Sequence, residues 1–358
     1  MRIGFVMSTE VGLKTQYQNW RDGLTPDLGV DPEWITINWW KPGGTVERLP
    51  GVPHKVKSMV RSSLELREGI TRGPFDALFV ACGIVFRGQS HLLRKQPYFM
   101  TADSTRRLLR GFGSLYGKGD SPIPLMNAYA NSVQTSRLRG ARALFPWSHW
   151  AAESMVADYG VDPKKIHVIP PGIDLSKWTL PPRTQKDGPT NLLFVGGDYY
   201  RKGGDLLMDW AERNKDGDFL LHMVTRERVT PPNDKVRVYN GLSSNDPELI
   251  SLYRQADAFV LPTRGDCYSL ASMEAMASGL PVIVSRTGGT GDIIREGETG
   301  FLIEPGDAGQ LAERLDALLA APEQRLAMGG KARRDAEERF DVNKNIRHTL
   351  DVMRSYLS

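Results

Sequence analysis

Cysteine is nearly absent from this chain. Only Cys82 and Cys267 occur among 358 residues, and they form no CxxC pair. That scarcity excludes a disulfide framework and a cysteine metal site, and implies free thiols in a reducing compartment. No run of about 18 apolar residues occurs either, so no membrane-spanning helix is expected. The opening MRIGFVMSTEVGLK has too short an apolar run for a secretory leader, with Glu10 close behind, and reads as a first core strand. No GxGxxG follows a first strand, which argues against a dinucleotide cofactor. Gly117-Lys118-Gly119 has neither the spacing nor the Ser/Thr of a phosphate-cradling loop. HExxH is missing, and the six histidines (54, 91, 149, 167, 222 and 348) show no ligand spacing, so neither a metal nor a resident cofactor is expected.

The length exceeds one ordinary core, so two domains are the default. The net charge of +4 hides an asymmetry. Residues 1–172 carry 22 Lys and Arg against 14 Asp and Glu, whereas residues 173–358 carry 24 against 28. A basic front half suits an anionic partner, and charge alone allows anionic lipid, a phosphorylated acceptor or nucleic acid. A solvated surface explains it equally well. Six of the eight tryptophans (20, 34, 39, 40, 147 and 150) also fall in the front half. Core packing is the commoner use of such residues, while sugar stacking and membrane interfaces are others.

Both halves alternate apolar runs with amphipathic segments, the pattern of a parallel sheet covered on both faces. In the first half, strands are expected at Ile3–Met7, Trp34–Asn38, Ala77–Ala81, Tyr98–Thr101 and Ala143–Phe145. Helices are expected at Thr15–Leu24, Val56–Gly69, Ser104–Leu109, Leu125–Ala141 and Ala151–Tyr159. Pro170-Pro171-Gly172 marks a linker, with a polar surface loop over Pro181–Thr190. A second α/β unit then begins at strand Asn191–Gly196 and runs to the helices beyond Ala308. The expected domains are 1–171, joined by a C-terminal helix at about 342–358, and 172–341.

Open α/β sheets bind ligands at the carboxyl ends of their strands. Two such ends in the second half carry chemistry. In FVGGDYYRKGGDLL, Arg201 and Lys202 follow a strand, and glycines let the backbone approach a ligand before a helix near Asp205. Two cations beside a helix N-terminus suit a diphosphate. In PTRGDCYSLASMEAMASG, Asp266 lies in a loop and Glu274 on the following helix, which ends at Gly279. Backbone amides from Tyr268 through Ser269 to Leu270 point at the same space. Each feature alone reads as a basic turn, a turn or capping acid, or an exposed helix acid. Together, in one sheet, they suit a polyol joined to a diphosphate.

These residues resemble the retaining glycosyltransferases of family four. The resemblance rests on VGGDYYRKGGDLL, on Asp266 and Glu274 at D-x7-E spacing with EAMASGLPVIVS, on Thr287-Gly288-Gly289, on TGFLIEPGD, and on the linker VIPPGIDL. It covers about residues 143–310 and is specific as a set; the first 140 residues match only loosely. It implies the GT-B architecture, two facing Rossmann-like domains with the active site in the cleft between them. It also implies transfer of a hexose, with retention and without a metal, from a nucleoside diphosphate sugar (UDP or GDP) to an acceptor hydroxyl. Arg201 and Lys202 would hold the diphosphate, Glu274 the ribose, and Asp266 the transferred sugar. Gly196 would lie against the donor, Tyr239, Gly241 and Leu242 would line the base, and Gly12 would let the first domain approach the phosphates. Two positions depart from the pattern. Asp266 stands where the family usually has Glu, shortening its reach by about 1.5 Å, and Ser269 replaces a glycine.

The first domain should supply the acceptor pocket. Asp103, after the strand Tyr98–Thr101, reads either as a positioning group near the reacting carbon or as the N-cap of the helix at Ser104. Glycolipid, polysaccharide and small-molecule acceptors all fit, at a cytoplasmic site with an anionic membrane surface as one candidate partner of the basic domain; no nucleic-acid partner is expected. Two other readings stand beside transfer: a non-catalytic sugar-nucleotide-binding protein, and another GT-B enzyme such as a sugar-nucleotide epimerase.

Overall fold

The structure, a computed structural model, describes residues 1–9, 13–81, 93, 95–116, 124–178 and 188–358. It divides into two compact units, Met1–Gly172 with Val342–Ser358, and Ile173–Asp341.

The first unit holds β1 (Arg2–Ser8), β2 (Asp31–Ile37), β3 (Ala77–Ala81), β4 (Tyr98–Ala102) and β5 (Leu144–Pro146), in the order β2-β1-β3-β4-β5. All their pairings are parallel. β3 and β4 are buried at every position, which explains why they read as continuous apolar runs rather than alternating ones. β2 starts three residues before the expected Trp34, because it pairs with β1 along its whole length, from Arg2 opposite Asp31 to Ser8 opposite Ile37. As an edge strand it tolerates Pro32. The helices are α1 (Leu13–Gly23), α2 (His54–Ile70), α3 (Arg106–Gly111), α4 (Pro124–Gly140) and α5 (His149–Ala157). The core centres on Phe79, which stacks on Trp20 at 4.5 Å between ring centroids and lies 6.1 Å from Phe145.

The second unit holds β6 (Thr190–Val195), α6 (Gly204–Arg213), β7 (Phe219–Val224), β8 (Val236–Tyr239), α7 (Pro247–Gln255), β9 (Ala258–Leu261), α8 (Leu270–Ala277), β10 (Val282–Ser285), β11 (Gly300–Ile303), α9 (Ala308–Ala320) and α10 (Pro322–Arg339). Its sheet is parallel throughout, in the order β11-β10-β9-β6-β7-β8. The chain runs outward from β6 through β7 to β8, then returns to the other side of β6 with β9 and runs outward again. The direction therefore reverses between β6 and β9, and a doubly wound sheet has its ligand crevice at the carboxyl ends of such a pair.

The last helix, α11 (Val342–Ser355), belongs to the first unit. Its Val342, Ile346, Leu350 and Met353 recur at helical spacing and join that unit's core. Its return passes close over Gly172, where a Cβ would lie 2.1 Å from the Val342 Cα. Only glycine fits there. Asn19 Nδ2 donates to the Gly172 carbonyl at 2.8 Å, and Asn345 Nδ2 to the Pro170 carbonyl at 3.1 Å.

Candidate active site

The two loops at the β6/β9 switch point are fastened to each other. After β6, Asp198 folds back on its own turn. Its carboxylate accepts from the Arg201 amide at 3.0 Å and from Arg201 Nε at 3.1 Å. Arg201 then reaches across, donating from one terminal nitrogen to the Gly265 carbonyl at 2.9 Å, while its own carbonyl accepts from the Arg264 amide at 2.8 Å. Lys202 Nζ donates to Asp266 Oδ2, and both side chains are largely buried. Arg264 holds the Asp205 carboxylate with both terminal nitrogens, at 2.6 and 2.8 Å, and lies over the Tyr200 ring.

This closeness dictates glycine. Gly203, at φ +78°, caps α6, and a Cβ there would lie 2.0 Å from the Pro262 carbonyl oxygen. A Cβ on Gly196 would lie 2.7 Å from Lys202 Cβ. The loop after β10 closes from the other side. Gly288, at φ +56°, sits where a Cβ would be 2.0 Å from the Asp266 carbonyl oxygen, and the Gly289 amide donates to the Cys267 carbonyl at 2.9 Å. Cys267 is a buried thiol, and Cys82 lies outside the described residues.

Ser269 caps α8, accepting from the Ser272 amide at 3.2 Å, so Leu270 opens the helix with a first-turn amide that the helix does not use. One turn on, Glu274 is 7% exposed and accepts from the Tyr253 hydroxyl at 3.1 Å. Burial pushes its carboxyl up to about 7, so it exchanges its proton near neutrality. It is not the exposed helix acid of the bland reading.

The structure thus gathers Gly196, Arg201, Lys202, Asp266, Tyr268, Ser269 and Leu270 into the two loops at one sheet edge, with Glu274 on the helix that leaves it. Tyr239, Gly241 and Leu242 stand at the end of β8, separated from β6 by β7. The Tyr239 hydroxyl is bonded to His222 Nδ1 at 3.0 Å. Burial holds the His222 imidazole below its usual range, which favours its neutral form. Gly12 and Gly117-Lys118-Gly119 lie outside the described residues. Asp103 belongs to the first unit, at the end of β4, where it accepts from the Ser104 hydroxyl at 2.9 Å. The capping reading of Asp103 is corrected: the helix begins at Arg106, and Thr105 caps it through the Leu108 amide. Thr105 has the extended backbone that an N-cap needs.

Sequence reasoning missed Arg264, Asp205 and Tyr253. Arg264 stood beside Gly265-Asp266 in the loop and could have been suspected. Tyr253 lies on α7 and carries no local signal, since its contact with Glu274 is made only by tertiary packing.

Residues 176–335 match the family described as Glycosyl transferases group 1, and residues 27–177 that described as Glycosyltransferase Family 4. The chain belongs to the group 1 glycosyl transferases. It is 27% identical over 311 residues to a D-inositol 3-phosphate glycosyltransferase of Pseudarthrobacter chlorophenolicus, covering 80% of this chain and 71% of that protein. It is 28% identical over 241 residues to an MMP alpha-(1->4)-mannosyltransferase of Mycolicibacterium hassiacum, covering 64% of this chain and 58% of that protein, little more than half its length. Among solved structures, sucrose-phosphate synthase of Thermosynechococcus elongatus superposes with a TM-score of 0.79 at 17% identity, over 99% of this chain and 98% of that one. Anabaena Alr3699/HepE in complex with UDP-glucose gives 0.68 at 14% identity, over 98% and 100%. At these identities the likeness is one of fold, the two parallel-sheet α/β domains of the GT-B class.

Proposed function

We propose that the chain transfers a hexose from a nucleoside diphosphate sugar to an acceptor hydroxyl, with retention and without a metal. The observation that carries this is the junction of the β6 and β9 loops, which sets two cations, a buried carboxylate and the start of α8 at one switch point. Arg201 and Lys202 bind the donor diphosphate. Lys202 is held by Asp266 before substrate arrives, so its ammonium is positioned in advance, and part of that contact passes to the phosphate on binding. The diphosphate leaves with the electron pair of its bond to C1, and fixed cations stabilise the charge that develops there. The acceptor oxygen attacks the same face, and its proton passes to the departing phosphate oxygen. Asp266 orients the transferred sugar. Glu274 accepts from the ribose hydroxyls once ionised, so donor binding strengthens as pH rises toward 7. UDP or GDP is the proposed nucleotide, supported by the UDP-glucose complex of the Anabaena protein. The scarcity of cysteine supports a cytoplasmic site of action.

Calorimetry with UDP-, GDP-, ADP- and dTDP-sugars, with Glu274→Ala as control, tests the donor site. One binder lost in the variant supports it, and no binder at millimolar concentration refutes it. A donor that binds without releasing diphosphate under any acceptor would instead favour a non-catalytic binding protein, a reading to which the closed Lys202–Asp266 pair lends some support. Product anomers by NMR, with and without chelator, test retention and metal independence.

A further inference from the structure

Ten of the eleven exposed large hydrophobic side chains among the described residues lie in the first unit, Tyr200 being the exception. Four of them, Val56, Met59, Val60 and Leu64, share one face of α2 by their spacing. The adjoining face, with Ser62, Leu66, Gly69 and Ile70, packs toward β2, so closely that a Cβ on Gly69 would lie 2.2 Å from Ile35 Cγ2. A surface helix ordinarily carries one apolar stripe, toward the core. α2 extends its apolar surface beyond that stripe and onto its outward side, where Val56, Met59, Val60 and Leu64 are 39–50% exposed. The segment 41–53 is fastened to the same helix, through Lys57 Nζ to the Glu47 carbonyl at 2.9 Å and Arg61 Nε to Glu47 Oε1 at 2.9 Å. Trp40 stacks on His54 at 4.4 Å. Exposed Trp40 and Leu49 therefore border the stripe.

Charge identifies the occupant. Lys41, Arg48 and Arg67 are exposed around the stripe. The acids of this region are engaged: Glu47 with Arg61, Glu68 with Arg72 at 3.3 Å, and Glu65 with the Asn38 amide at 2.8 Å. Over the whole unit, 25 Lys and Arg stand against 15 Asp and Glu. We infer that the outward stripe of α2 docks the protein on an anionic lipid bilayer. Val56, Met59, Val60 and Leu64 enter the boundary between headgroups and acyl chains, and Lys41, Arg48 and Arg67 meet lipid phosphates. A second copy would bring the same cationic face against itself, whereas an anionic bilayer satisfies both the charge and the apolar stripe. Docking is independent of which sugar is transferred.

Flotation of the full chain tests this, using vesicles of equal phosphatidylcholine and phosphatidylglycerol beside vesicles of phosphatidylcholine alone. The chain should float with the anionic vesicles at low salt and less so at high salt. Met59→Glu combined with Leu64→Glu should lower the bound fraction about tenfold. Melting temperature and donor binding should hold, because both side chains are exposed. Failure to float on anionic vesicles at low salt, equal flotation on neutral vesicles, or full flotation of the variant would overturn the inference. So would a concentration-dependent dimer in analytical ultracentrifugation that the same variant abolishes. Donor binding measured on the same preparations separates a failure of docking from a failure of the transferase reading.

Discussion

The two units are both doubly wound parallel sheets, yet their strand ends are furnished differently. In the second unit the loops after β6 and β9 turn charged side chains onto one another: Lys202 on Asp266, Arg201 on Asp198, Arg264 on Asp205. In the first unit the end of β4 carries a chain of short side chains, with Ser104 on Asp103 and Thr105 on Ser154, which in turn donates to Asp158 at 2.7 Å. Ten of its large hydrophobics are also exposed, against one in the second unit, among the described residues. One loop system holds fixed charges in place, as binding a diphosphate demands. The other joins hydroxyls to the carboxylates of Asp103 and Asp158, with Arg107 on Asp158 at 3.1 Å, which commits it to no ligand class.

The sharpest way to break this contrast is to remove a charge from the second unit. Lys202→Ala should lower turnover by about 10²–10³-fold, the loss typical of removing one preorganised donor to developing charge. Steady-state kinetics with a saturating donor would check it, and near-normal turnover would sink the role given to that ammonium.

Glu274 gives the next largest effect, and its sign is specific. Its folded carboxyl titrates at about 7 against an ordinary 4.5, because burial disfavours the charged form. The raised value contributes stability that is present below about pH 4.5 and lost as pH rises through about 7. The full shift corresponds to about 3 kcal/mol as an upper figure. Denaturant unfolding at about pH 5 and about pH 8 should therefore show the wild type losing up to about 3 kcal/mol more than Glu274→Gln, while the variant binds donor more weakly. Parallel pH profiles for the two proteins would show that the group is not buried in solution.

Gly203→Ala should act on the loop junction rather than on chemistry. It combines a left-handed backbone with a Cβ directed at the Pro262 carbonyl. Destabilisation of about 1–3 kcal/mol is expected, together with weaker donor binding as the two loops part. Unchanged stability would mean that the loops are less tightly joined than their hydrogen bonds imply.

Most of the fold was legible because both sheets are wholly parallel. Runs such as Ala77–Ala81 and Val282–Ser285 are buried on both faces and announce themselves without alternation. Boundaries slipped where pairing, not composition, decides: β2 reaches back to Asp31 only because β1 is there to pair with it. In the site, the spacing of Asp266 and Glu274 already placed them on one loop and the helix after it. That Lys202 meets Asp266, or that Tyr253 covers Glu274, depends on contacts 64 and 21 residues apart. No local pattern encodes such contacts.

The smallest expected effect tests the quieter strand end. Thr105 caps α3 and is buried against Ser154, so Thr105→Ala should cost about 1 kcal/mol of stability. Asp103 does not cap the helix. Asp103→Asn keeps an oxygen for the Ser104 hydroxyl, and its stability should stay within about 0.5 kcal/mol of wild type. If Asp103 positions the acceptor, the Asn variant should raise the acceptor KM or lower turnover while donor binding in the other unit holds. Thr105→Ala should do the reverse, losing stability with transfer kinetics preserved at low temperature. Should Asp103→Asn instead lose stability with its kinetics intact, the carboxylate belongs to the hydroxyl chain that fastens β4 to the following helix, and the acceptor is held elsewhere on the first unit.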